Sequence, residues 1–136
     1  MSEENMEAVR RLFKAVEERN LTGVLAAYDP EVVIREAESL PYGGVYRGLE
    51  GAERHARGYE QAWGRLQTPA ERRLDATFLA AGEHVMVLWR QRGRAAGGSR
   101  EFDMPAVSVY RLRGGRVVES QMFHADAAAV RRFLEG

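Results

Sequence analysis

The sequence predicts an α+β domain: a cone-shaped, curved antiparallel sheet wrapped around three N-terminal helices, followed by a short C-terminal helix. Two patterns predict it. As far as Trp63 the apolar residues recur at intervals of three and four, the spacing of amphipathic helices, whereas beyond Pro69 the period falls to two and holds over four long segments. The third observation is size. A chain of 136 residues, 45% apolar and without cysteine, supports one hydrophobic core with no disulfide or Cys-ligated zinc, so residues 1–136 read as a single domain.

The first helix is expected over residues 3–19, where Met6, Val9, Leu12, Phe13 and Val16 form one buried stripe. Asn20 caps a short second helix carrying Leu21, Val24, Leu25 and Tyr28, which Asp29 and Pro30 stop. The β-branched Val32, Val33 and Ile34 then mark a strand over residues 32–36. Residues 39–48 read as an ordered loop, with Pro41, Gly43 and Gly44 set among Leu40, Tyr42, Val45 and Tyr46. A third helix places Leu49, Ala52, Ala56, Tyr59 and Trp63 on one face.

Strands are expected over residues 72–81, 84–95, 100–113 and 116–124, and turns as short as those between them force an antiparallel meander. Asp126 caps a last helix whose Val130, Phe133 and Leu134 dock on the sheet. Each helix offers one apolar stripe and the sheet needs one face covered, so the helices lie across the concave face. Long strands twist, and the cone keeps an open mouth suited to a ligand.

Charge excludes several functions. Twenty basic residues face twenty acidic ones, which argues against a nucleic-acid binder. No apolar run approaches the roughly 20 residues of a membrane span, and the acidic N-terminus is unlike a signal peptide, so a cytoplasmic location is expected. Lys14 is the only lysine, which leaves no Schiff-base lysine further along the chain. His55, His84 and His124 are dispersed along the sequence, and the glycine pairs sit at hairpins rather than in phosphate loops. No metal and no cofactor are implied.

The aromatic residues Tyr28, Tyr59, Trp63, Trp89, Phe102 and Tyr110 either line a cavity for a flat, ring-containing ligand or fill the core. Strand parity puts Phe102, Met104, Ala106, Ser108 and Tyr110 on one face, where the small Ala106 and Ser108 leave room. In the last strand Ser120, Met122 and His124 share a face. The expected ligand contacts are therefore Tyr28, Trp63, Trp89, Met104, Ser108, Tyr110 and Met122, and the expected ligand is an apolar small molecule. Arg90, Arg92 and Arg94 share one strand face with Asp103 across the hairpin, a solvated charge ladder. On the opposite face to Ser108, the apolar Pro105, Val107 and Val109 point to a homodimer formed through the sheet.

This order of elements, with Asn20-Leu21-Thr22-Gly23-Val24, Tyr28-Asp29-Pro30, Val32-Val33-Ile34, Tyr46-Arg47-Gly48, Val109-Tyr110-Arg111-Leu112 and Gly115-Arg116-Val117-Val118, resembles the nuclear transport factor 2-like superfamily. The resemblance covers essentially the whole chain, and it is to the SnoaL-like and ketosteroid isomerase-related branch. The isomerase pattern implies a general-base carboxylate at Glu36. It sets Leu12 and Ser108 at the positions of the two oxyanion donors, and Leu12 cannot donate. The SnoaL-like cyclase motif falls on Ser120-Gln121-Met122, with Met122 at the acid/base aspartate, and His124, two residues along the same face, is the substitute. The limonene epoxide hydrolase arrangement, an arginine between two carboxylates, has no counterpart.

The resemblance thus implies cofactor-free isomerase or cyclase chemistry on a carbonyl-type ligand, with Glu36 and His124 as catalytic residues, in a homodimer. A non-catalytic ligand-binding domain and a dimeric interaction module are the alternatives, and the missing donor and missing aspartate favour the first of these.

Overall fold

A computed structural model describes residues 2–136. Helix α1 (Ser2–Glu17) buries Val9, Leu12 and Phe13 of the predicted stripe together with Asn5, Ala8 and Ala15, while Met6 and Val16 are half-buried. The turn after it places Arg19 at a left-handed φ of 56°, which costs a non-glycine residue about 1–2 kcal/mol. The Arg19 guanidinium holds that turn down, with Nη2 2.9 Å from the carbonyl of Gly64 and Nε 2.9 Å from Oε1 of Glu60. Asn20 caps α2 (Leu21–Ala26), its side chain accepting the N–H of Gly23 at 3.0 Å.

Strand β1 (Tyr28–Glu36) starts earlier than the sequence predicts, with Tyr28 already in the sheet. Pro30 is tolerated because the register against β6 shifts between Tyr28 and Val33, where a missing N–H leaves no ladder bond unmade. The stretch read as a loop contains β2 (Gly44–Arg47), antiparallel to β1 with Glu36 opposite Gly44. Helix α3 (Gly48–Trp63) runs into a 3₁₀ turn, Gly64–Leu66. A Thr68/Glu71 capping box then makes a one-turn helix, α4 (Pro69–Arg72), whose last residue is the first of the strand that alternation predicts. The strand behind it, β3, is correspondingly short (Thr77–Ala81), and β4 (His84–Arg94), β5 (Glu101–Arg113), β6 (Arg116–His124) and α5 (Ala127–Glu135) follow.

The strands form one curved, unclosed sheet in the order β2-β1-β6-β5-β4-β3. Strands β3 to β6 are the expected antiparallel meander. The departure is β1, which lies parallel to β6, with Ile34 opposite Ser120. The sheet is therefore antiparallel except at this seam, which joins its first strand in sequence to its last.

Packing divides in two. The main core sets Val9, Leu12 and Phe13 of α1 against Val32, Ile34, Val85, Val87, Leu112 and Val117 of the sheet. A second cluster at the other end gathers Leu40, Tyr42, Trp63, Val130 and Phe133, with Phe102 and Met104 against it. Gly93 lies under this cluster, where a Cβ would stand 2.7 Å from Cζ3 of Trp63. On the solvent side Arg90 meets Asp103 at 2.6 Å and Arg92 meets Asp75 at 2.7 Å, the predicted ladder with one more acid. Among the described residues no helix is long and apolar enough to cross a membrane.

Candidate functional site

Alternation along β1 turns Val32, Ile34 and Glu36 to the concave side. The first two fill the core, and the third puts a carboxylate at the end of the same row. Glu36 is buried, with 7% of its surface exposed. A lone buried carboxylate is costly, so its partners decide its state.

Those partners come from opposite sides. His55, on the inner face of α3, brings Nε2 to 2.9 Å from Oε2 of Glu36. His124, at the end of β6 opposite Ala106, brings Nε2 to 3.5 Å from Oε1. That second approach is a close contact rather than a closed hydrogen bond. Glu36 Oε1 and both ring nitrogens of His124 have no hydrogen-bond partner among the described residues. Burial alone raises the Glu36 carboxyl, but the imidazoles of His124 and His55 outweigh it and hold the group below its ordinary range. Glu36 is an ionised base in an apolar surrounding.

Two glycines inside α3 explain how His55 gets so close. Glycine in a helix interior costs roughly 1 kcal/mol against alanine. Here a Cβ on Gly51 would stand 3.0 Å from the carbonyl carbon of Tyr46, and one on Gly58 would stand 3.1 Å from Cβ of Tyr42. Their absence lets the helix settle onto the two anchors. Tyr46 then tilts against the His55 ring at 5.1 Å, and Tyr42 is fixed by the Trp63 indole N–H, 2.8 Å from its hydroxyl oxygen.

The carboxylate opens onto a cavity of about 290 Å³ between α1, α2, α3 and the sheet. Leu12, Phe13, Val24 and Leu74 make its walls apolar, and Arg19, Arg57 and Glu60 also border it. The chain has five tyrosines, and the charge of Glu36 is felt at every one. Burial, assisted by that charge, raises each phenol, Tyr59 to about 12. They are neutral donors. Tyr59 gives its proton to Oε1 of the fully buried Gln91 at 3.0 Å, and the Trp89 N–H goes to Oγ of Ser108 at 2.9 Å.

Of the residues that the sequence nominates, Glu36, Tyr28, Trp89, Ser108, Tyr110 and Met122 border this cavity. Trp63 and Met104 do not. Trp63, on the last turn of α3, passes beyond the cavity and stacks on Phe133 at 5.9 Å, because Gly93 leaves a slot there, and Met104 packs against the same cluster. His124 touches Glu36 from behind, walled off by the edge of Trp89 at 6.0 Å, and does not border the cavity. The histidine that does is His55. Sequence reasoning passed over it as one of three dispersed histidines, although it follows Ala52 by three residues on the inner stripe. Among the described residues no group of three acidic or histidine side chains is arranged to hold a metal ion.

A family model for the SnoaL-like domain matches residues 9–120. The chain belongs to the SnoaL-like family. Its fold is that of the nuclear transport factor 2-like superfamily. A nuclear transport factor 2-like protein of unknown function from Burkholderia pseudomallei is 29% identical over 100% of both chains, with a TM-score of 0.83. A candidate SnoaL-like polyketide cyclase from Jannaschia sp. is 21% identical, over 95% of this chain and 90% of that one, with a TM-score of 0.76. A protein of ketosteroid isomerase-like fold from Catenulispora acidiphila, in complex with trimethylamine, is 16% identical over 86% and 84%, with a TM-score of 0.69. No curated protein matches this SnoaL-like sequence.

Proposed function

We propose that this SnoaL-like protein binds an apolar, carbonyl-bearing small molecule and moves a proton within it, as a cofactor-free isomerase or cyclase. The observation that carries the reading is Glu36: an ionised carboxylate, buried at the wall of an apolar cavity and held by an imidazole 2.9 Å away. Such a base removes a proton α to a carbonyl, and a positioned base contributes on the order of 10²–10⁴-fold to rate. Glu36 accepts the proton, His55 fixes the carboxylate, and His124 supports its far oxygen. The Jannaschia neighbour, a candidate polyketide cyclase, belongs with the same class of chemistry.

The test is proton exchange in heavy water over a panel of cyclic and aryl ketones, followed by nuclear magnetic resonance. The wild type is expected to exchange α-protons on at least one member, and Glu36→Gln to bind that member without exchanging it. Equal exchange by both proteins would refute the assignment.

A second reading, a ligand carrier without turnover, is favoured by Leu12 and Met122. Both face the cavity as apolar groups where the related enzymes place a donor and an acid. In a carrier, Glu36→Gln leaves affinity and every rate unchanged.

We also propose that a second copy of the chain covers the convex face. Leu79 and Met86 lie opposite each other and Met86 faces Val109, while Leu88 faces Val107 and Val107 faces Phe123. Leu79 and Phe123 are each 50% exposed. Two adjoining apolar rows on one sheet face are self-complementary about a two-fold axis.

A further inference from the structure

Helix α1 ends on a hydrogen-bonding pattern that favours glycine. The N–H of Asn20 returns to the carbonyl of Ala15 at 2.8 Å, and that of Arg19 to the carbonyl of Val16 at 3.1 Å. This pair of bonds needs a left-handed residue at the exit from the helix, where glycine is the usual occupant because it carries no Cβ. The chain has Arg19 there, at a φ of 56°. A residue kept against its own backbone preference points to a use for its side chain.

That use lies at the mouth of the cavity. Among the described residues that border the cavity, Arg19 and Arg57 are the exposed ones, so the opening lies between the α1–α2 turn and the C-terminal half of α3. Arg57 is engaged within α3, with Nη2 2.8 Å from Oε2 of Glu53. Arg19 instead reaches across the gap, to the carboxylate of Glu60 and the carbonyl of Gly64. Gly64 has an ordinary helical φ of −54°, so its backbone has no need of glycine. The need is for room, since a Cβ there would stand 2.7 Å from Oε1 of Glu60, the oxygen that Arg19 holds. Behind this contact Leu21 and Val24 of α2 cover the cavity. Yet α2 has six residues, of which Val24 is the buried one, and a helix so short and shallow is easily displaced. An exposed ion pair adds little to the stability of a fold, which suits a contact that has to open.

We propose that Arg19 is a latch on the cavity: its contacts with Glu60 and Gly64 hold the α1–α2 turn against α3, and ligands enter and leave through the gap that opens when they break. The latch spans the rim and leaves the wall around Glu36 untouched. It therefore serves an enzyme and a carrier alike, and stands whether or not Glu36 is a base.

The test variant is Arg19→Gly, which removes the latch and gives the left-handed position its favoured residue. The probe is N-phenyl-1-naphthylamine, neutral and apolar, whose fluorescence rises in an apolar surrounding. Stopped-flow mixing is expected to give association and dissociation rates that both exceed the wild type by roughly 3- to 10-fold, the worth of two solvent-facing contacts. The thermal midpoint is expected to equal or exceed that of the wild type. Raising the salt to about 1 M screens exposed charges, and should speed exchange in the wild type but not in Arg19→Gly. A second measurement needs no bound ligand. In a Trp63→Phe background, where Trp89 is the sole indole, Arg19→Gly should make Trp89, which borders the cavity, several-fold easier to quench with acrylamide.

Unchanged rates and unchanged quenching in Arg19→Gly would overturn the proposal. A lowered thermal midpoint would also overturn it, by making Arg19 a prop of the fold. So would a change in the dissociation rate alone, which marks a ligand contact rather than a latch. If the probe does not bind, the acrylamide comparison decides by itself.

Discussion

Nε2 of His55 lies 2.9 Å from Oε2 of Glu36, tying the middle of α3 to the last residue of β1. The contact is what permits a charged carboxylate in an apolar wall, and its removal has a definite sign. His55 lowers the Glu36 carboxyl, so His55→Ala raises it. The acid limb of the kcat/KM profile for α-proton exchange is expected to move to higher pH. The rate above that limb falls roughly 10-fold or more, the worth of a hydrogen bond to a charged group. His55→Gln keeps a donor and recovers part of both. An unmoved acid limb in His55→Ala would refute the coupling.

Acid stability carries the same signature. The Glu36 carboxyl is depressed in the folded protein from an ordinary value of 4.5. The folded state thus favours the ionised form, and the stabilisation is fully present above that value and lost as pH falls through the lower folded value. Urea midpoints measured from pH 6 down to pH 3 are expected to drop more steeply for wild type than for Glu36→Gln. Parallel curves would mean that Glu36 titrates alike in both states.

Gly93→Ala tests the far cluster. A methyl group there meets Trp63 at 2.7 Å and Phe133 at 3.0 Å, and overpacking of this kind costs about 1–3 kcal/mol. Thermal unfolding should show the loss, while binding in the cavity, which Trp63 does not border, stays at the wild-type level. A variant as stable as the wild type would show that the slot is loose.

Phe123→Glu and Leu88→Glu each place a charge in the convex apolar rows without touching the cavity wall. Light scattering is expected to give a dimer for the wild type and a monomer for either variant. A monomeric wild type at micromolar concentration would remove the second copy from that face.

How much of this was legible in the sequence depends on which physical signal each residue carries. Strand alternation is local, so it placed Ser108 and Tyr110 on the cavity side of β5, and Met122 and His124 on the inner face of β6. It cannot say how far along a face a cavity extends, which is why Met104, two residues before Ala106, went to the other cluster. Trp63 shares the apolar stripe of α3 with Ala52, yet a helix carries its stripe past the end of a pocket as readily as into it. His55 was lost for a different reason. Its partner, Glu36, lies on another element, and periodicity within α3 holds no information about β1. The parallel seam was invisible for the same reason, since nothing within β1 specifies the direction of its neighbour.

That seam has a consequence for how the molecule comes into being. β1 is bordered by β2 on one side and by β6 on the other, so a ribosome must extrude every strand through β6 before the second border exists. Contacts so distant along the chain are slow to form, because loop-closure entropy opposes them until the late strands arrive. A nascent chain lacking β6 has an unpaired strand edge beside Glu36 and no His124. The protein gains its buried carboxylate only once its sixth strand has been made.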